Sequence, residues 1–211
     1  MIEPLPSNQQ VHPRETPPRL AVVLAAGQGT RMRSTLPKVL HRAGGRPLLA
    51  WVIDAARAAG CERILVVVGH GAEAVRAELD APDLTWVLQA EQKGTGHALA
   101  QVAPQVQGEA TLLVLSGDAP LVRAETIAAL ALAGERSPGG ALAVADLADP
   151  AALGRVFKTP DGELDRIVEA RDASPEELRQ TTINAGLYAL KAPAIFENLA
   201  RIGTDNAQGE L

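Results

Sequence analysis

"LAVVLAAGQGTRMR", residues 20–33, passes from an apolar run straight into two glycines, a threonine and two arginines. The apolar part has the pattern of a strand covered on both faces, because nothing polar interrupts it. The glycines then let backbone amides approach a ligand. Amides at a strand-to-helix turn form an anion site, although glycines also serve simply to make turns. Arg31, Arg33 and then Lys38 of "PKVL" (37–40) add positive charge beside it. Two familiar phosphate loops do not fit. The dinucleotide fingerprint wants a third glycine where Met32 stands, and a Walker loop wants glycine and lysine where Met32 and Arg33 stand.

Outward from this turn the pattern repeats. "RILVVVG" (63–69), "LTWVLQA" (84–90) and "TLLVLSG" (111–117) are short and rich in Val, Leu and Ile. Between the strands lie helical spacings at "PLLAWVIDAARAAG" (47–60), "GAEAVRAELD" (71–80), "TGHALAQVA" (95–103) and "RAETIAALALAG" (123–134). The alternation predicts an α/β fold, a Rossmann-like doubly wound and mostly parallel sheet with right-handed crossovers. Ligands in such sheets sit outside the carboxyl ends of the strands, where every motif of interest here lies.

The second half is less regular. "GGALAVADL" (139–147), "GRVFKTPDGELDRIVEA" (154–170) and "TINAGLYAL" (182–190) read as strands, with "PDG" as a turn. This predicts a hairpin-bearing second half that covers one end of the sheet. Ser174 and Glu177 have the spacing of a capping box, and "APAIFENLARIG" (192–203) reads as a helix.

Composition narrows the function. Aromatics are 2% of the chain, so Leu, Val, Ile and Ala must fill the core. A net charge of −5 argues against a nucleic-acid partner, which needs a basic face, but leaves room for one local phosphate pocket. No apolar run approaches a membrane span. Cys61 is the single cysteine, which excludes an internal disulfide and suits a cytoplasmic location; it reads as a packing residue. Residues 1–19 contain five prolines and no apolar segment of a signal peptide, and read as a disordered leader. His70 and His97 lie beside helix starts without metal-ligand partners at useful spacing, and read as structural.

"LAAGQGTRMRSTLPKVL" (24–40) resembles the signature of the sugar-nucleotide pyrophosphorylases, the nucleoside-triphosphate transferases. "WVLQAEQKGTGHAL" (86–99) and "SGDAPL" (116–121) narrow the resemblance. They are similar to the uridyltransferase half of the bifunctional N-acetylglucosamine-1-phosphate uridyltransferase/glucosamine-1-phosphate acetyltransferases. "LGRV", "IVEARDAS", "INAGLYAL" and "NAQGE" follow in that family's order, so the likeness covers roughly residues 20–210. It implies the nucleotide-diphospho-sugar transferase fold over residues 20–211 and a cytoplasmic enzyme of cell-wall precursor synthesis. The reaction implied is UTP plus N-acetylglucosamine 1-phosphate giving UDP-N-acetylglucosamine and pyrophosphate. The attacking phosphate is already an anion, so catalysis would consist of positioning and charge neutralisation.

By the same resemblance Leu24, Ala25, Ala26 and Gly27 contact the nucleotide. Gly29, Thr30 and Arg31 wrap the triphosphate, and Arg31 and Lys38 neutralise its charge. Asp118 would be a Mg²⁺ ligand, for which hard carboxylate oxygen is suited. Ser116 and Gly117 match a nucleotide-contacting pair, and Gln89, Gly94 and Thr95 the residues that read uracil. Gly154, Glu169 and Asn184 match positions that hold the amino sugar. The family continues beyond "NAQGE" to an asparagine that is the second protein ligand of Mg²⁺, then to a β-helix with the acetyltransferase site and trimer contacts. The expectation is therefore a domain incomplete at its C-terminus, lacking the acetyltransferase part and those trimer contacts. Two other readings stay open: the same fold acting on another nucleotide or sugar phosphate, and a truncated, non-catalytic sugar-nucleotide-binding protein.

Overall fold

The computed structural model describes residues 16–27, 29 and 32–201. Most of the leader and the C-terminal "NAQGE" lie outside the described residues. In chain order the first half comprises β1 (Arg19–Ala25), a small ribbon of β2 (Arg42–Ala43) and β3 (Arg46–Pro47), α1 (Leu48–Ala58), β4 (Arg63–Val68) and α2 (Ala72–Leu79). It continues with β5 (Leu84–Leu88), α3 (Gly94–Ala100), β6 (Ala110–Ser116) and α4 (Ala124–Arg136). The second half holds β7 (Ala141–Asp146), β8 (Arg155–Lys158), β9 (Leu164–Val168), β10 (Thr182–Ala192) and α5 (Ala194–Leu199). Each strand and helix expected from the sequence is present within a few residues of its expected bounds. The Ser174–Glu177 capping box forms as well, with Glu177 N donating to Ser174 Oγ at 3.3 Å and Ser174 N to Glu177 Oε2 at 2.9 Å. It opens a single 3-10 turn rather than a helix.

The sheet runs β5-β4-β1-β6-β10-β8-β9, with β7 also paired to β10. β1 is parallel to β4 and to β6, and β4 is parallel to β5. β10 turns the sheet antiparallel, pairing Tyr188 with Val114 and Leu190 with Leu112 of β6. β7, β8 and β9 join it as antiparallel strands, with β8 and β9 forming the hairpin around "PDG".

Alternate residues of β1 feed two cores. Ala21, Val23 and Ala25 pack with Ile53 of α1, Val75 of α2 and Ile127 of α4 on one face. Leu20 and Val22 pack with Leu99 of α3 and with Ile195 and Phe196 of α5 on the other. Covering both faces is what demands a continuous apolar run through the middle of β1, β4 and β6. From β1 the chain moves outward to β4 and β5, then returns to the other side of β1 as β6. The strand order reverses between β1 and β6. The crevice for a ligand in an open α/β sheet lies at such a reversal, outside the carboxyl ends.

Candidate active site

A cavity of about 710 Å³ opens at that reversal. Leu24, Ala25, Ala26, Gly27 and Gly29 line it from the end of β1. Lys38, Gln89, Gly94 and Thr95 form further walls, and Ser116 and Asp118 close the floor at the end of β6. Residues far apart in sequence thus converge on one cleft. Thr30 and Arg31 lie outside the described residues.

The two glycines of the opening turn do different work. Gly29 has φ +63°, and a Cβ there would come 2.8 Å from Lys38 Cβ. That backbone favours glycine, and the missing Cβ is what lets Lys38 pass so closely. A Cβ on Gly27 would meet nothing within 4 Å. No crowding by the fold demands glycine at 27, and bare backbone there leaves room for a ligand to approach the amides.

Lys38 is aimed by its neighbours. It begins a 3-10 turn, Lys38–Leu40, whose Val39 and Leu40 are buried in the core. With those two pinned, the lysine projects into the cleft and ion-pairs with Asp118. Asp118 also accepts a hydrogen bond from Ser116 Oγ at 2.6 Å. Burial opposes ionisation of Asp118, but the Lys38 and Ser116 hydrogen bonds and the Lys38 charge outweigh it, holding the carboxyl below the usual aspartate range. It is an anion at neutral pH. Gly117 stands behind this floor, where its N–H donates to Leu24 O at 2.9 Å. A Cβ on Gly117 would lie 2.9 Å from that same oxygen, so glycine is what lets β6 end against β1.

Gln89 is 3% exposed and extends β5 by one residue, its N–H donating to Val68 O at 2.8 Å. Its side-chain amide donates to Gly94 O at 3.3 Å and lies 3.0 Å from His97 Nδ1. Sequence reasoning gave His97 no part in the site, and its eight-residue separation from Gln89 carries no periodic signal. Met32, Val39, Gln92 and Ala98 also line the cleft and were not singled out. All four fall inside or beside the quoted motifs, so adjacency was the available signal.

Gly154, Glu169 and Asn184 form a second group. Asn184 N donates to Gly154 O at 2.9 Å, and a Cβ on Gly154 would lie 3.0 Å from Glu169 Oε1. Asn184 Nδ2 donates to Tyr188 Oη at 2.7 Å, and Asn184 Oδ1 accepts from Gly186 N at 2.8 Å. Because β10 is antiparallel to β6 and Tyr188 faces Val114, the start of β10 projects beyond the carboxyl end of β6. The group therefore sits at the same edge of the sheet as Asp118.

Cys61 behaves as packing: burial pushes its thiol up to about 11, where it is not a nucleophile. Among the described residues no cluster of three or more His, Cys, Asp or Glu side chains is arranged to hold a metal. No described helix is long and apolar enough to cross a membrane.

Residues 21–199 match the model of the MobA-like NTP transferase domain family. The chain belongs to that family. As a MobA-like NTP transferase domain it is 49% identical over 189 residues to the bifunctional protein GlmU of Cellvibrio japonicus, a match covering 90% of this chain and 42% of that protein. It is 48% identical over 195 residues to the bifunctional protein GlmU of Pelobacter propionicus, with the same two coverages of 90% and 42%. The chain thus spans well under half the length of these relatives. A crystal structure of UDP-glucose pyrophosphorylase with UDP-glucose superimposes with a TM-score of 0.72 at 20% identity, covering 90% of this chain and 82% of that one. That likeness establishes the nucleotide-sugar transferase fold.

Proposed function

We propose that this domain transfers a uridylyl group from UTP to N-acetylglucosamine 1-phosphate, releasing pyrophosphate. The observation that carries the reading is the meeting of Gly27, Gly29, Lys38, Asp118 and Gln89 in one cleft at the strand-order reversal. The resemblance of the stretches that carry these residues to enzymes of this class supports the reading.

A phosphate oxygen of the sugar 1-phosphate attacks the α-phosphorus of UTP. The new O–P bond forms as the bond from the α-phosphorus to the bridging oxygen breaks, and pyrophosphate leaves with that oxygen. No proton transfer is required. The chain's task is to hold two polyanions in line and to offset their charge. Bare amides about Gly27 and the Lys38 ammonium serve the triphosphate. Gln89 with Gly94 and Thr95 takes the base, and the Gly154, Glu169 and Asn184 group takes the sugar.

Mg²⁺ fits the residues present. Asp118 offers hard carboxylate oxygen in an open cleft, and Mg²⁺ needs only one or two protein carboxylates when phosphates complete its shell. Bound there, it would add positive charge against the phosphates.

The test is pyrophosphate release by the 211-residue chain with UTP, N-acetylglucosamine 1-phosphate and Mg²⁺. Release is expected from the wild type, and about 100- to 1,000-fold more slowly from Asp118→Asn. A folded chain that binds UDP-N-acetylglucosamine yet releases nothing would overturn catalysis and leave a sugar-nucleotide-binding domain. Release with glucose 1-phosphate but not with the N-acetylated sugar would overturn the assignment of the acceptor.

A further inference from the structure

Lys38 can offset phosphate charge only if its turn stands at the right place beside the cleft. Close contacts at three glycines show what sets that place. A Cβ on Gly29 would stand 2.8 Å from Lys38 Cβ, so the glycine turn already touches the lysine. The turn between β4 and α2, residues 69–71, touches the residue before it. Gly71 has φ +72°, and a Cβ there would stand 2.5 Å from Pro37 Cγ. A Cβ on Gly69 would stand 3.0 Å from Ala26 O, just past the end of β1. The β4–α2 turn thus abuts both parts of the phosphate site, at Ala26 and at Pro37.

This support has firm footing. Gly71 lies between Val68 and Val75, both fully buried, and its carbonyl accepts from Val75 N at 3.1 Å in the first turn of α2. Pro37 is itself buried, but residues 32–36 before it are all exposed. A clash between the two is relieved more easily at Pro37, and the peptide bond passes the displacement directly to Lys38.

We propose that Gly71 is a positioning residue: the bare β4–α2 turn, seated against Pro37, sets where Lys38 stands in the cleft. Gly71 acts through Lys38 and does not line the cleft itself. The inference rests on the proposed function, in which Lys38 offsets the charge of the triphosphate.

A double-mutant cycle on steady-state kinetics isolates the contact. Gly71→Ala adds the Cβ. Pro37→Ala removes the Cγ that it would strike and leaves the Cβ of residue 37 at 3.6 Å, an ordinary contact. Alanine tolerates the φ −50° and ψ 137° of that position. With Pro37 present, Gly71→Ala is expected to lower kcat/KM for UTP about 10- to 100-fold, as a small misplacement at a reacting centre does. KM for the sugar phosphate should stay within about twofold. In the Pro37→Ala background the same substitution is expected to cost about threefold or less. Alanine at positive φ strains the fold in either background, so Tm of the double variant should remain below that of Pro37→Ala although kcat/KM does not. Gly71→Asn tolerates the left-handed backbone yet carries a Cβ, and repeats the test with less loss of stability.

Wild-type kinetics in Gly71→Ala, or equal losses of kcat/KM in both backgrounds, overturn the proposal and leave the proposed function standing. A wild-type chain without turnover overturns the proposed function. The role of Gly71 is then decided by the carboxyl carbon-13 resonance of Asp118, which reports its ion pair with Lys38. A shift in Gly71→Ala that returns toward the wild-type position in the double variant supports the proposal. No shift, or one that persists in the double variant, overturns it.

Discussion

The parallel and antiparallel halves of this sheet are built on different terms. In β4 and β6 nearly every residue is buried, and in β1 most are. In β7 half of the strand is exposed, and in β9 the first three residues are. Both halves place candidate functional groups at the same edge. The parallel half does so on a rigid floor, with Ser116 ending a buried strand and Asp118 two residues beyond it. The antiparallel half holds its group through hydrogen bonds between loops and strand ends, such as Asn184 to Gly154 and to Tyr188. The first arrangement suits chemistry that is sensitive to small displacements, the second suits recognition that varies among substrates.

The sharpest way to test this contrast is to remove one group from each side. Asp118→Asn keeps the volume and removes the charge, and turnover is expected to fall about 100- to 1,000-fold, as it does when a preorganised electrostatic group is lost. Glu169→Ala is expected to raise KM for the sugar phosphate about tenfold while leaving KM for UTP within about twofold. Steady-state kinetics on both substrates check the pair. Equal effects on both substrates from Glu169→Ala would erase the division of labour between the halves.

Stability offers the next test. Leu113 in β6 is fully buried, and Leu164 in β9 is 50% exposed. Leu113→Ala is expected to cost about 3 kcal/mol by leaving a cavity. Leu164→Ala is expected to cost about 0.5 kcal/mol or less. Urea unfolding measures both, and comparable losses would mean that β9 is buried against something in solution.

The difference also explains how much could be read from the sequence. Apolar runs such as "RILVVVG" announce themselves because burial on both faces leaves nothing polar after the exposed Arg63. The hairpin of β8 and β9 was legible from "PDG". Its pairing to β10 was not, because it is made through the single register pair Ile183–Arg155. In the site, motif resemblance found Lys38 and Asp118, which stand 80 positions apart and meet only because β1 and β6 are neighbours. It did not find the Gln89–His97 contact. That contact depends on how the loop from β5 folds back onto α3, and spacing alone does not encode it.

The smallest expected effects concern two carboxylates that both sit below their ordinary range for different reasons. Asp118 is held down against a burial penalty by Lys38 and Ser116. Glu177 is held down chiefly by the backbone N–H and hydroxyl of Ser174, with help from Arg166. A depressed carboxyl stabilises the folded chain above its unfolded pKa. That contribution disappears as pH falls through the folded value, so both groups should act only in the acid range, below the usual carboxylate values. Lys38→Met leaves burial, the largest influence on Asp118, opposed mainly by Ser116, and the Asp118 titration should move upward. Ser174→Ala removes the hydroxyl at Glu177 but leaves the backbone N–H in place, so its titration should move upward by less. Carboxyl carbon-13 titrations follow each group separately. A larger shift at Glu177 than at Asp118 would mean that the floor of the cleft is wetter than its burial implies, and that Lys38 matters less to Asp118 than a single backbone turn matters to Glu177.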